Sequence, residues 1–321
     1  MGQLVTFGET PLRLSPPANQ RLERARQARL HADGVESNAA VATHTLGTNS
    51  VWVSLLPESP LGRRVRSQVD AQGVETDITW VDAAEYRQGL VFGERARAPR
   101  KSTRLHDREG TAIGAASPSD LPMHRVQDTE MLLSGMNTAV LSQDSAETVT
   151  ALLRAGSDAG ATTAVAFEYA AGLCSPDVYR GVFEELASHA DIVFGREAAL
   201  QRALGLTGRW RDLASTLAVE YDLDIAVVVR SGHGAVAMED SPRANLVHER
   251  EGIDVEPVDT TGEYGAVVGG FCDATLAGED TTTALDAGLA AGALARSVEG
   301  PFLTATDEEL DAALDMLVDG R

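Results

Sequence analysis

Apolar and polar positions along the chain follow two periods. Short apolar runs of strand length recur at residues 4–9, 51–56, 163–168, 192–194 and 225–229, and another ends at Leu132-Leu133. Between them apolar residues return every three or four positions, the spacing of helices with one buried face. This pattern predicts helices over 37–46, 61–72, 145–159, 176–189, 197–204, 210–221, 266–276, 283–298 and 307–317, the first two closed by Gly47 and Gly73. Strands separated by helices predict an α/β fold whose mostly parallel sheet is covered on both faces. Two segments, 18–35 and 76–115, break the rhythm with extra short strands, and they are expected to form a small second sheet inserted as a lid in a single domain of 1–321.

Composition agrees with one large core, since 43% of the 321 residues are hydrophobic. No apolar run reaches the roughly 18 residues of a membrane-crossing helix. The first residues enter a strand with no basic leader, so a cytoplasmic protein is expected. Cys174 and Cys272 fit no metal-ligand spacing and read as small apolar residues in a reducing compartment. The formal net charge is −21, and Lys101 is the only lysine. The acidic residues are spread over helical faces, as at Asp307-Glu308-Glu309, which predicts a folded protein suited to a high-salt cytoplasm. No basic stripe exists for nucleic acid, and no Walker, Gly-x-Ser-x-Gly or His-Glu-x-x-His motif is present.

The segment from Val258 to Phe271 carries the chemistry. It reads as a strand end, a glycine-punctuated turn and the start of a helix of small residues. Such a start presents free N–H groups and a positive dipole end, which suit a phosphate.

This segment resembles the second signature of the ribokinase-like (PfkB-type) carbohydrate kinases, Asp-Thr-x-Gly-Ala-Gly-Asp. The stretch Asp33-Gly34-Val35-Glu36-Ser37-Asn38, followed by Leu46-Gly47, resembles their first signature. The opening Leu4-Val5-Thr6-Phe7-Gly8-Glu9-Thr10 and the turn Ser59-Pro60-Leu61-Gly62 also match in order, nearest to the 2-keto-3-deoxygluconate kinases of that family. The resemblance implies a three-layer α/β/α core with a β lid, and ATP with Mg²⁺ as phosphoryl donor. It implies a sugar or sugar acid held by Asp33, Gly34, Asn38, His106 and Arg108. It further implies an anion hole at Gly262, Glu263, Tyr264 and Gly265, and nucleotide contacts from Arg230, Gly232 and Gly234. Family members often pair through the lid, so a homodimer using Val91 and Phe92 is expected.

The departures are as informative. The family's last Asp, the proton acceptor, is Gly265 here; its Ala and Gly are Glu263 and Tyr264. Glu263 is expected to set a negative charge beside the triphosphate. Asp259 and Glu263 are the candidate substitutes for the base, but Glu263 points about 200° around the helix from residue 265, and Asp259 also fits a turn carboxylate. The family's metal-associated Asn-x-x-Glu falls on Arg196 and Ala199, leaving Glu197 as a displaced oxygen ligand. Asn38 also fits a helix cap, and Arg108 a solvated arginine. Two readings follow: a sugar kinase with impaired catalysis, or a pseudokinase that binds a ligand or partner without turnover.

Overall fold

The computed structural model describes residues 3–319 apart from 19, 97, 242 and 243. In chain order the elements are β1 (Leu4–Phe7), β2 (Leu12–Ser15), β3 (Arg29–Ala32), α1 (Val35–Thr45), β4 (Ser50–Pro57), α2 (Pro60–Asp70), β5 (Glu75–Val81), β6 (Leu90–Glu94) and β7 (Thr103–Asp107). There follow α3 (Met123–Gln127), β8 (Met131–Gly135), α4 (Met136–Ala139), α5 (Gln143–Ala159), β9 (Thr162–Phe167), α6 (Pro176–Ala187), β10 (Ile192–Arg196), α7 (Glu197–Ala203) and α8 (Trp210–Tyr221). The last are β11 (Ile225–Arg230), β12 (Gly234–Glu239), β13 (Leu246–Glu251), α9 (Glu263–Leu276), α10 (Thr281–Ser297) and α11 (Asp307–Asp319).

The large sheet has the order β13-β12-β11-β10-β9-β8-β1-β4-β5. It is parallel from β11 to β5, and β12 and β13 run antiparallel at one edge. Its central strands bury both faces. Val165, Phe167 and Val193 meet α5–α8 on one side, while Ala164, Ala166 and Phe194 meet α9–α11 on the other. This is why those strands read as continuous apolar runs rather than alternating ones. Helix starts follow local chemistry: the Ser59 hydroxyl accepts from Gly62 N at 3.1 Å ahead of α2, and Ser142 caps α5 through Ser145 N at 2.9 Å.

The α/β architecture expected from the sequence is the one observed. The second sheet is differently composed. It has the order β3-β2-β6-β7, so residues 18–35 supply β3 while the unforeseen β2 lies inside the sheet. The strand at 76–81, expected in the lid, is β5 of the large sheet, paired in parallel with β4 from Val51↔Glu75 to Pro57↔Val81. Helix α2 makes the β4–β5 connection an ordinary crossover. The half-exposed strand lacks the continuous apolar run that marks the central strands.

Rows across the small sheet divide by face. Arg13, His31, Val91 and His106 are in register on one row, and Leu14, Leu30, Phe92 and Leu105 on the next. Val91 is buried, whereas Leu105 is 56% exposed. Val91 is therefore not available as the outward contact expected for it; the outward apolar row is the one containing Phe92.

Candidate functional site

Between the small sheet and the carboxyl ends of β1, β9 and β10 lies a cavity of about 60 Å³. Asp33, Gly34, Asn38, His106 and Arg108 all line it, together with Thr261, Tyr264 and Gly265 from the α9 start. Residues separated by more than 200 positions thus share one space. The sequence reading did not propose Glu9, Glu36, Arg104, Asn137 and Glu168 as site residues, and it placed Arg196 only where the family has a metal-associated Asn; all six line the cavity. Their signal was position: Glu9, Glu168 and Arg196 stand at the carboxyl ends of parallel strands, where open α/β sheets form their binding crevice.

Ion pairs fix much of this lining. Arg108 is paired with Glu9 and donates through Nη2 to Asn137 O at 3.3 Å. Asp33 accepts from Asn38 Nδ2 at 3.0 Å and pairs with Arg13 Nε at 3.2 Å. Glu168 lies 3.5 Å from Arg196 Nε, and Tyr179 OH donates to Asn137 Oδ1 at 2.7 Å, orienting that amide. Burial pushes the pKa of His106 down to about 4, helped by the Arg108 and Arg104 charges, so its ring is neutral near pH 7. Four polar atoms of lining residues are buried without a hydrogen-bond partner: Glu9 Oε1, Asn38 Oδ1, His106 Nδ1 and Arg196 Nε, the last within 3.5 Å of Glu168 as an ion pair. Leaving such groups unpaired costs about 1–3 kcal/mol each.

The α9 start keeps the turn but not the family's side chains. Tyr264 does not intrude on the helix start. It is buried, its OH donates to Phe167 O at 3.2 Å, and the Arg196 guanidinium stacks 4.6 Å from its ring centre. Gly265 has no room for a side chain: a Cβ there would collide with Asn38 Cβ and lie 3.3 Å from Val35 O. Helix α1 has closed against the spot where a carboxylate would start.

Neither substitute considered from the sequence reaches the cavity. Glu263 turns the other way, accepting from Gly232 N at 2.7 Å and lying 3.4 Å from Arg296 Nη1. Its charge is therefore paired. Asp259 accepts from Thr261 Oγ1 at 2.6 Å and Thr261 N at 3.1 Å, with Arg95 at 3.4 Å and Arg13 at 3.8 Å. Burial raises the pKa of its carboxyl, but the Thr261 bonds and the two arginines outweigh this and hold it below the usual range. Asp259 is held in the turn by these contacts and does not line the cavity.

Arg230, Gly232 and Gly234 come together at a second, smaller cavity of about 20 Å³, lined also by Gly252, Glu263 and Arg296. Arg230 is partly engaged elsewhere, at 3.3 Å from Glu197 Oε2 and 4.8 Å over the Trp210 ring. That pairing, with Arg196 as neighbour, makes Glu197 a poor metal ligand. Among the described residues no cluster of three His, Cys, Asp or Glu side chains could hold a metal ion. Among the same residues no helix is long and apolar enough to cross a membrane.

The pfkB family carbohydrate kinase profile matches residues 1–307. The 2-dehydro-3-deoxygalactonokinase of Haloferax volcanii is 38% identical, over 97% of this chain and 96% of that protein. The crystal structure of 2-dehydro-3-deoxygluconokinase from Thermotoga maritima superposes with a TM-score of 0.85 at 22% identity, over 98% of this chain and 100% of the other. A sugar kinase of Pyrococcus horikoshii in complex with ATP gives a TM-score of 0.79 at 19% identity, over 98% and 99%. With the profile spanning nearly the whole chain and the cavity lying where the two signatures meet, this protein belongs to the pfkB family of carbohydrate kinases.

Proposed function

We propose that this chain transfers the γ-phosphoryl group of ATP to a hydroxyl of a 2-keto-3-deoxy sugar acid. The observation that carries the reading is that residues lining the cavity keep buried atoms without hydrogen-bond partners, among them Glu9 Oε1, Asn38 Oδ1 and His106 Nδ1. Two are acceptors and the third is a neutral ring nitrogen, a set that hydroxyl groups of a sugar satisfy. Arg104, Arg108 and Arg196 at the same cavity suit the acid's carboxylate, Arg by bidentate geometry. The Haloferax volcanii relative, a 2-dehydro-3-deoxygalactonokinase by name, supports this substrate class.

The phosphates would lie at the α9 start, where the N–H groups of Glu263, Tyr264 and Gly265 precede the first helical acceptor bonds. Magnesium would supply charge neutralisation on the triphosphate, arriving with the nucleotide. Residue 265 brings no proton acceptor. Loss of a general base costs roughly 10²- to 10⁴-fold, so catalysis is impaired unless another group takes the proton.

A second reading is a non-catalytic ligand-binding protein. It is favoured by the bond from Gly232 N to Glu263, which occupies a nucleotide-loop donor with the protein's own carboxylate. Calorimetry with MgATP in molar KCl, together with ADP release in the presence of 2-keto-3-deoxygluconate and 2-keto-3-deoxygalactonate, tests both. ATP binding with turnover of either acid supports the kinase; saturable sugar-acid binding with no ADP release supports the second reading.

In this proposal the protein works in a high-salt cytoplasm and pairs as a homodimer through the small sheet, whose outward row Leu14–Phe92–Leu105 is apolar.

A further inference from the structure

We propose that Glu36 is the proton acceptor of the transfer, in the role that residue 265 lacks; this rests on the kinase reading above. Four carboxylates line the cavity: Glu9, Asp33, Glu36 and Glu168. Three are engaged by arginine, Glu9 with Arg108, Asp33 with Arg13 and Glu168 with Arg196. Among the described residues no ion pair holds Glu36. A carboxylate facing a guanidinium is a weak base because the positive charge stabilises its ionised form. Glu36 has no such direct pair, and the Arg108 charge acts on it only from a longer distance.

Its position fits the role. Glu36 is the second residue of α1, directly after Val35, whose carbonyl faces the missing side chain of residue 265. The carboxyl group extends into a space kept open by two glycines. A Cβ on Gly8 would collide with its Oε1, and one on Gly135 would lie 2.6 Å from the same atom.

Hydrogen bonding also assigns the two oxygens. Glu9 N donates to Thr138 Oγ1 at 2.9 Å, so the Thr138 proton is directed away from that contact. Thr138 Oγ1 donates to Glu36 Oε1 at 2.5 Å. Oε1 already accepts the Thr138 hydroxyl, so the incoming proton is assigned to Oε2. In the reaction the substrate hydroxyl oxygen bonds to the γ-phosphorus. The bond from that phosphorus to the β,γ-bridging oxygen breaks, and its electron pair leaves on ADP. The hydroxyl proton passes to Glu36 Oε2 and later to water.

The groups facing Glu36 set its proton affinity. Burial raises its pKa from 4.5 to about 7; the Thr138 bond, its own backbone N–H and the Arg108 charge oppose this, and Glu168 adds to it. Such a carboxylate is ionised often enough near neutral pH to act and basic enough to hold the proton.

The test is steady-state ADP release by the wild type, Glu36→Gln and Glu36→Asp, with MgATP and both sugar acids in molar KCl from pH 5.5 to 9. The wild type is expected to show kcat rising through an acid limb near pH 7. Glu36→Gln is expected to lose about 100-fold or more in kcat, with KM little changed and the limb gone, and Glu36→Asp to recover part of kcat. Thr138→Val, which removes a bond favouring the ionised form, is expected to move the limb to higher pH, and it decides the matter if Glu36→Gln fails to fold. Wild-type kcat and an unchanged limb in Glu36→Gln, or an unmoved limb in Thr138→Val, overturn the role of Glu36 alone. Absence of turnover by the wild type with either acid overturns the kinase reading and this role with it.

Discussion

The carboxylate of Glu263 accepts the backbone N–H of Gly232 at 2.7 Å, closing the turn after β11 onto the first residue of α9. Arg296 Nη1 lies 3.4 Å from the same oxygen. A phosphate arriving at that loop must displace this contact. Glu263→Ala is therefore expected to have two opposite effects. The free protein loses about 3 kcal/mol, because Arg296 is left buried without its partner. MgATP then binds about tenfold more tightly and raises Tm more than in the wild type, since no carboxylate competes for the Gly232 donor. Calorimetry and thermal melts with and without MgATP measure both.

Gly265→Asp restores the family's residue in name only. The new Cβ meets Asn38 Cβ and closely approaches Val35 O and Ala39 N. The variant is expected to lose about 1–3 kcal/mol by overpacking and to gain no turnover, because Asn38 is itself part of the cavity. Denaturant unfolding and ADP release check this. A stable Gly265→Asp variant with steeply raised kcat would return the proton-acceptor role to residue 265.

Glu36 makes stability depend on pH in a defined direction. Its folded pKa, raised by burial from 4.5 to about 7, means that the folded chain holds a proton the unfolded chain has released. Stability from this group is full below pH 4.5 and is lost as pH rises to about 7. Glu36→Gln is expected to match the wild type at pH 4.5 and to exceed it at pH 8 by on the order of 3 kcal/mol. Unfolding by denaturant at the two pH values measures the difference. His106, with its pKa held down to about 4, acts oppositely, losing stability as pH falls from 6.5 to 4 in both proteins; the comparison of variants removes it.

Leu105 is 56% exposed and stands in register with Phe92 and Leu14 on the outward row of the small sheet. If this row pairs two copies, Leu105→Arg is expected to convert a dimer to a monomer in light scattering. Folding should be little affected, because the side chain meets solvent in the single chain.

A net charge of −21 on 321 residues predicts self-repulsion that salt relieves. Tm is expected to rise steadily from 0.1 M to molar KCl, with more of the gain at the low end than uncharged osmolytes give.

The helices and the buried strands were legible because their burial is periodic along the chain. Residues 210–221 were read as a helix and form α8 with the same ends. β5 was assigned to the wrong sheet because it is half-exposed and lacks a continuous apolar run, and β2 was not foreseen because it is four residues between Pro11 and Pro16; nothing local says which sheet accepts either. At the site, Asp33, Asn38, His106 and Arg108 were visible through their motifs. Glu9, Glu36 and Glu168 were not, since a single acidic residue after a strand or in a first helical turn looks like any surface carboxylate.

The sequence by itself determined the α/β alternation, the two signatures and the loss of a carboxylate at residue 265, because each is carried by local periodicity or by residue identity. Where the charges went was decided only in three dimensions. Glu263 and Asp259 were both written next to the glycine turn ahead of α9, yet one is bonded to Gly232 and the other to Thr261, while Glu36, from 229 residues upstream of Gly265, lines the same cavity. Side-chain direction depends on how helices α1 and α9 pack against each other, and that packing is a property of the folded chain that no stretch of either helix encodes alone.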